Sequence, residues 1–229
     1  MDAWKKVLIE LIVEKNGLLF GEFQLKSGRI SPYFFNLAYV VSDGQGIAKV
    51  SEAYALAMRD QIGLNAFDYI HGPAYKAIAL AGSVALELYR EFKANKRWGF
   101  DRKQPKEYGV QKEKWLVGEI RDNDRILIID DTVTTGEAKM ESMEKINAFS
   151  ECKGLKFVAT LVMLDRMEKS VQGASASSDL KQKGLGLYSI VRIRDVFEYL
   201  KERKVKGKIY VTKETCDSFN QYFEKYGVS

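Results

Sequence analysis

The chain has 229 residues, of which 46% are hydrophobic and 29% charged. That is the composition of a folded globular protein and excludes disordered or collagen-like chains. Lys+Arg 36 against Asp+Glu 31 leaves a net charge of +5, a modest excess that suits a small anion as well as a nucleic acid. In chain order, Val7, Leu8, Leu11 and Ile12 recur at helical spacing, while Glu10, Glu14 and Lys15 interrupt the apolar run. The N-terminus therefore reads as an amphipathic helix and not as a secretion signal. Ser42, Asp43 and Gly44 supply capping oxygens for a helix carrying Ile47, Val50, Tyr54, Ala57 and Met58, which Gly63 would end. Residues 67–70 are β-prone and lead into His71-Gly72-Pro73, where Pro73 can open the next helix, marked by Ile78, Ala81, Ala85, Leu88 and Phe92. Residues 101–114 carry Arg102, Lys103, Lys106, Lys112 and Lys114 without apolar periodicity and read as a mobile loop.

The run 126–129, ILII, is too short for a helix and suits a strand buried on both faces of a parallel sheet. A helix over 136–149 follows, with Met140, Met143 and Ile146, and then a second buried strand over 157–164. Residues 170–186 shift to Gly, Ser, Ala and Lys and read as a flexible surface excursion. Another strand at 187–191, a helix through Ile193, Val196, Phe197 and Leu200, and a terminal helix through Cys216, Phe219, Phe223 and Tyr226 complete the chain. Alternating strands and helices give an α/β fold with a mainly parallel sheet. At this length one large domain is expected, with at most a small subdomain. Cys152 and Cys216 form neither a disulfide framework nor a C-x-x-C pair, and read as small buried residues in a reducing compartment. No stretch approaches the roughly 18 apolar residues of a membrane span. A cytoplasmic location is expected.

The chemistry concentrates at residues 126–138, ILIIDDTVTTGEA. A buried strand ends in Asp130 and Asp131, and a turn over 132–136 leads into a helix. Ligands of open α/β sheets collect at the carboxyl ends of strands. A helix N-terminus there offers unpaired N–H groups to a phosphate, Thr134 and Thr135 add hydroxyls, and Gly136 permits close approach. Adjacent carboxylates suit the 2′- and 3′-hydroxyls of a ribose, so the turn reads as a ribose 5-phosphate site. The plainer alternative is that the acids cap a helix and the threonines are turn residues. Neither G-x-x-x-x-G-K-[ST] nor G-x-G-x-x-G occurs, which counts against Walker-type and dinucleotide sites.

This segment resembles the phosphoribosyl pyrophosphate (PRPP) signature of the type I phosphoribosyltransferases. Four more segments resemble the orotate phosphoribosyltransferase branch: FGEFQLKSGRISPYFFN at 20–36, GPAYKAIAL at 72–80, DRKQPKEYG at 101–109 and LDRMEK at 164–169. The resemblance implies the type I phosphoribosyltransferase fold, with a mainly parallel central sheet flanked by helices and a small N-terminal hood over about residues 1–40. It implies PRPP contacts from Lys26, Tyr75, Lys76, Asp130, Asp131, Thr132, Val133, Thr134, Thr135, Gly136, Glu137 and Ala138. It places Arg102, Lys103 and Lys106 on a catalytic loop that closes over pyrophosphate and reaches the neighbouring subunit of a homodimer.

The resemblance further implies that Phe34, Phe35, Thr134 and Arg166 bind orotate. The guanidinium of Arg166 matches a carboxylate in bidentate geometry, although the plainer reading is a surface pair with Asp165. Mg²⁺ is implied as cofactor, bound mainly through PRPP and water and not by side chains. Two features depart from the family's pattern. Ala77 stands where glycine is usual, and Tyr108 where the loop usually has histidine, so an acid–base role is not carried to Tyr108. His71, the only histidine, reads as structural, with nothing nearby to form a relay or metal cluster. The implied reaction is transfer of the phosphoribosyl group from PRPP to N1 of orotate, with no nucleic-acid or membrane partner. Two alternatives stay open, a sister enzyme using another base and a regulator that binds PRPP without catalysis.

Overall fold

The computed structural model describes all residues except 26, 109, 110, 134, 135, 170–172, 174 and 229, and leaves the side chains of 111, 112 and 176 undescribed. The chain begins with α1 (Ala3–Glu14), the hairpin β1 (Leu18–Gln24) and β2 (Ile30–Phe35), a short α2 (Leu37–Val40) and α3 (Gly44–Ala57). There follow β3 (Tyr69–His71), α4 (Lys76–Phe92), β4 (Arg97–Asp101), α5 (Gln111–Trp115) and β5 (Leu116–Val117). The second half holds β6 (Arg125–Val133), α6 (Glu137–Phe149), β7 (Lys156–Asp165), α7 (Ala176–Gln182) and β8 (Gly186–Arg192). It ends with α8 (Ile193–Leu200), a small ribbon of β9 (Lys204–Val205) and β10 (Lys208–Ile209), and α9 (Lys213–Tyr226).

The six-stranded sheet has the order β5-β4-β3-β6-β7-β8. Every pairing is parallel except that of β5 with β4. Along β6, Ile126 and Ile128 enter one core with Ile146 of α6, and Leu127 and Ile129 enter the other with residues of α3 and α4. The side chains of a strand alternate between faces, so an unbroken apolar run is the signature of burial on both. The Asp43 carboxylate caps α3 by accepting from Gly46 N at 2.8 Å, as the sequence suggests, and Gly63 (φ 89°) ends the π-helical turn that follows.

Several boundaries differ from the sequence reading. Strand β6 does not stop at Ile129 but pairs with β7 through Val133. Helix α4 starts at Lys76 and not at Pro73. The loop expected over 101–114 is shorter at both ends, because Asp101 is buried in β4 and α5 occupies Gln111–Trp115. The excursion at 170–186 contains α7, whose Leu180 is buried in the core beside α6. The hood is not built from the N-terminal residues alone. Tyr33 and Phe20 pack their rings against Phe197 of α8, and Phe219 of α9 stacks on Phe197 at 3.9 Å. Cys216 is buried as expected, whereas Cys152 is half-buried, its thiol donating to Ile120 O at 3.2 Å.

Candidate active site

The turns after β3, β4, β6 and β7 all leave the carboxyl edge of the sheet, where open α/β sheets hold ligands. The turn after β3 depends on Gly72. A Cβ at that position would stand 2.2 Å from Ala77 O, so only glycine lets strand and helix meet so closely. The turn after β6 depends on Gly136, the N-cap of α6, at φ 77°. A Cβ there would also meet Leu180 of α7 at 2.8 Å, so the supposed surface excursion braces the turn after β6.

Strand alternation separates the acid pair. Asp130 follows Ile126 and Ile128 onto the α6 side, where the buried ammonium of Lys139 is bonded to its Oδ2 and donates to Thr132 O at 2.7 Å. Asp131 follows Leu127 and Ile129 onto the α4 side, where Lys76 Nζ donates to its Oδ2 at 3.2 Å. The two acids thus lean toward opposite faces of the sheet. Each has its own lysine. The Asp131 carboxylate also accepts from Thr132 N at 2.8 Å, and Tyr54 Oη of α3 donates to Asp130 O at 2.6 Å. Burial, reinforced by Asp131, raises Asp130 above the ordinary carboxylate range, and Lys139 opposes both effects.

At the end of β7, Arg166 is buried and its partner is not Asp165, which accepts from Met167 N. Nε and Nη2 of Arg166 donate to Glu168 Oε1 at 3.1 and 2.8 Å, and the guanidinium lies 4.9 Å from the Tyr33 ring centroid. The Tyr33 hydroxyl donates to the same carboxylate oxygen at 2.6 Å. The segment is strapped from behind by the chain's last turn: Lys169 N donates to Tyr226 O and Val228 N to Met167 O, both at 2.8 Å.

The segment after β4 is rooted in a buried polar cluster. Asp101 accepts from Ser142 Oγ at 2.9 Å and Lys145 Nζ at 3.0 Å, and His71 Nε2 lies 3.0 Å from it. His71 is thus buried as expected but not isolated. Burial would raise the Asp101 carboxyl, yet His71, Lys145 and Ser142 together hold it well below the usual range, so Nε2 carries the proton it shares. Beyond this root, Lys103 Nζ lies 3.8 Å from Glu141 of α6, and Lys106 Nζ sits 4.6 Å over the ring of Tyr108, which is exposed. The Arg102 Nε is buried without a hydrogen-bond partner.

The structure thus gathers Lys76, Asp130, Asp131, Thr132, Gly136 and Arg166 along one edge. Tyr75 lies there exposed, Val133 is buried, and Glu137 and Ala138 are exposed on the first turn of α6. Lys103 and Lys106 have other partners. Phe35 is in the core, while Phe34 is partly exposed, with its ring 5.6 Å from Phe23. Lys26, Thr134 and Thr135 lie outside the described residues. Sequence reasoning missed Lys139, Glu168, Tyr54 and the cluster around Asp101. Lys139 was within reach of it: continuing the alternation of ILII through the acids aims Asp130 at the helix that carries this lysine.

A mainly parallel sheet with a carboxylate-bearing central strand, a glycine-hinged turn into the next helix and an arginine just beyond the following strand defines a type I phosphoribosyltransferase fold. No family model matches the chain. It is 36% identical over 231 residues to orotate phosphoribosyltransferase of Clostridium acetobutylicum, covering 100% of both chains. It is 38% identical to that of Actinobacillus pleuropneumoniae, again over 100% of both. The crystal structure of orotate phosphoribosyltransferase from Francisella tularensis superposes with a TM-score of 0.77 at 31% identity, over 97% of this chain and 100% of that one. The chain belongs to the orotate phosphoribosyltransferase family.

Proposed function

We propose that the protein transfers the 5-phosphoribosyl group from PRPP to N1 of orotate, forming orotidine 5′-monophosphate and pyrophosphate as a step of pyrimidine synthesis. The observation that carries this reading is the set of groups along one sheet edge: the acids of β6 with their lysines, the Gly136 turn, and Arg166 one strand away. The N–H groups at the start of α6 take the 5′-phosphate. Asp130 and Asp131 accept the ribose hydroxyls and favour positive charge at C1′ as pyrophosphate departs. Arg166 receives the orotate carboxylate, with the partly exposed Phe34 beside the base. Orotate N1 is already anionic, so the reaction needs no covalent enzyme nucleophile, and the protein contributes position and electrostatics.

Both acids are already engaged by ammonium groups, which fits an Mg²⁺ ion arriving with its own oxygen ligands from PRPP and water. Such an ion would offset charge on pyrophosphate. Lys76, exposed on α4, turns to the same group, and Arg102, Lys103 and Lys106 close over it and exclude water. The loop lysines act across a homodimer. Supporting this, Tyr75, Ala79, Gly82, Leu86 and Tyr89 recur along one stripe of α4, with Trp98 against Gly82, and Tyr75, Leu86, Tyr89 and Trp98 are exposed. Among the described residues no helix is long and apolar enough to cross a membrane, and we place the enzyme in the cytoplasm.

The test is the absorbance of orotate incubated with PRPP, Mg²⁺ and protein, with uracil and adenine in parallel. Loss of orotate alone establishes reaction and base preference together. PRPP binding without turnover of any base would overturn the reading in favour of a regulator.

A further inference from the structure

The two acids of β6 hold their lysines differently. Lys76 is largely exposed, its side chain 60% accessible, and can leave Asp131 by rotating into solvent. Lys139 is only 4% exposed, is tied to Thr132 O as well as Asp130, and has no solvent to turn into. Two bare carboxylates would repel a polyanion such as PRPP, and a buried carboxylate without a counter-ion would bind a proton instead. We propose that Lys139 is a positioning residue, the permanent counter-ion that keeps Asp130 ionised and fixed toward α6, whereas Lys76 is released from Asp131 when pyrophosphate arrives. The division of labour follows from β6 itself, whose alternation sends one acid to the helix behind the site and the other to the helix beside it.

The groups facing the Asp130 carboxylate are Lys139 from α6 and, on its own strand, the Asp131 charge and the Asp131 N–H, while the Tyr54 hydroxyl from α3 donates to the Asp130 backbone carbonyl. Lys76 from α4 faces Asp131. Burial holds the Tyr54 hydroxyl protonated, so Lys139 is the cation in contact with Asp130. Without it, burial and the Asp131 charge are opposed only by the hydrogen bond from Asp131 N, and the acid required for ribose binding takes a proton at higher pH. The inference rests on the PRPP reading of the site, and the experiment separates the two.

Dissociation constants for PRPP are measured by calorimetry from pH 5 to pH 9 for the wild type, K139M and K139Q, beside kcat/KM profiles. The acidic limb of K139M is expected to move up by about 1–3 pH units. K139Q keeps a donor for Thr132 O but no charge, and is expected to show the same limb with a recovered thermal midpoint. An unmoved limb in a folded K139M overturns the assignment. Should neither single variant fold, D130N and the D130N/K139M double variant decide it. Equal PRPP affinity in the two supports the pairing, and a further loss in the double variant overturns it. A wild type that binds no PRPP would instead remove the PRPP reading itself.

Discussion

Asp101 and His71, the last residues of β4 and β3, meet side chain to side chain at 3.0 Å in the interior of the protein. Each stands immediately before a segment at the carboxyl edge of the sheet: Arg102 opens the segment after β4, and Gly72 opens the turn that leads to Lys76. Ser142 and Lys145, which bind the same carboxylate, lie on α6, the helix that follows the Gly136 turn. One buried anion therefore ties three site segments together.

Asp101→Asn is expected to lower kcat by about 10- to 100-fold with little change in the KM for PRPP, because it loosens the loop's root and leaves the phosphate turn intact. Trypsin should also cut the ligand-free variant faster after Arg102, Lys103 or Lys106. Wild-type kinetics together with wild-type digestion would show that the cluster is only structural.

Arg166→Ala is expected to raise the KM for orotate by about 10- to 100-fold and to leave PRPP binding nearly unchanged, as loss of charge-assisted hydrogen bonds implies. Because the change also leaves the half-buried Glu168 carboxylate with the Tyr33 hydroxyl but without its counter-ion, the double variant with Glu168→Gln should regain thermal stability without regaining orotate affinity. Equal loss toward both ligands would be incompatible with a base-specific role.

Lys106 and Tyr108 can be separated. Lys106→Ala should reduce kcat far more than it weakens either substrate, by about 100-fold if the ammonium stabilises the leaving group. Tyr108→Phe keeps the ring face on which Lys106 rests, so its kcat should stay within about twofold of wild type. A large loss in Tyr108→Phe would assign chemistry to the hydroxyl.

Gly136→Ala places a methyl group where φ is 77° and where Leu180 lies 2.8 Å away. Backbone strain alone costs about 1–2 kcal/mol. The variant should lose PRPP affinity and lower the thermal midpoint together. Leu180→Ala should also weaken PRPP binding by loosening the turn it packs against, and an unchanged Kd there would free α7 of this role.

Arg125 holds the Asp68 carboxyl down at about 2 through its hydrogen bonds, against a small opposing effect of burial. A depressed carboxylate stabilises the fold above its unfolded pKa and loses that contribution as pH falls through the folded value. Asp68→Asn should therefore lower the melting temperature at pH 7, and the gap from wild type should narrow between about pH 4 and pH 2. A gap that does not change with pH would point to packing and not to charge.

The parallel core was legible because ILII at 126–129 can be little else than a strand with two buried faces. Its true end was not, since Asp130, Asp131 and Thr132 look like a turn when the lysines that satisfy them are unseen. Lys139 comes from the following helix and Lys76 from one two strands earlier. Asp101 misled in the same way: within a charge run it reads as solvated, and only the meeting of β3, β4 and α6 compensates its burial. Arg166 was found as a residue but not as a pair, because Glu168 reaches it only when the chain turns at Met167. Leu180 was lost in a polar stretch where one apolar residue carries no period.

The strap formed by the last turn bears on how Arg166 is held. Tyr226 O and Val228 N hold the backbone just beyond Arg166, so the end of α9 and the Arg166 turn are joined by main-chain hydrogen bonds. A variant prepared with these two hydrogen bonds broken is expected to let the turn of Arg166 and Glu168 shift from behind.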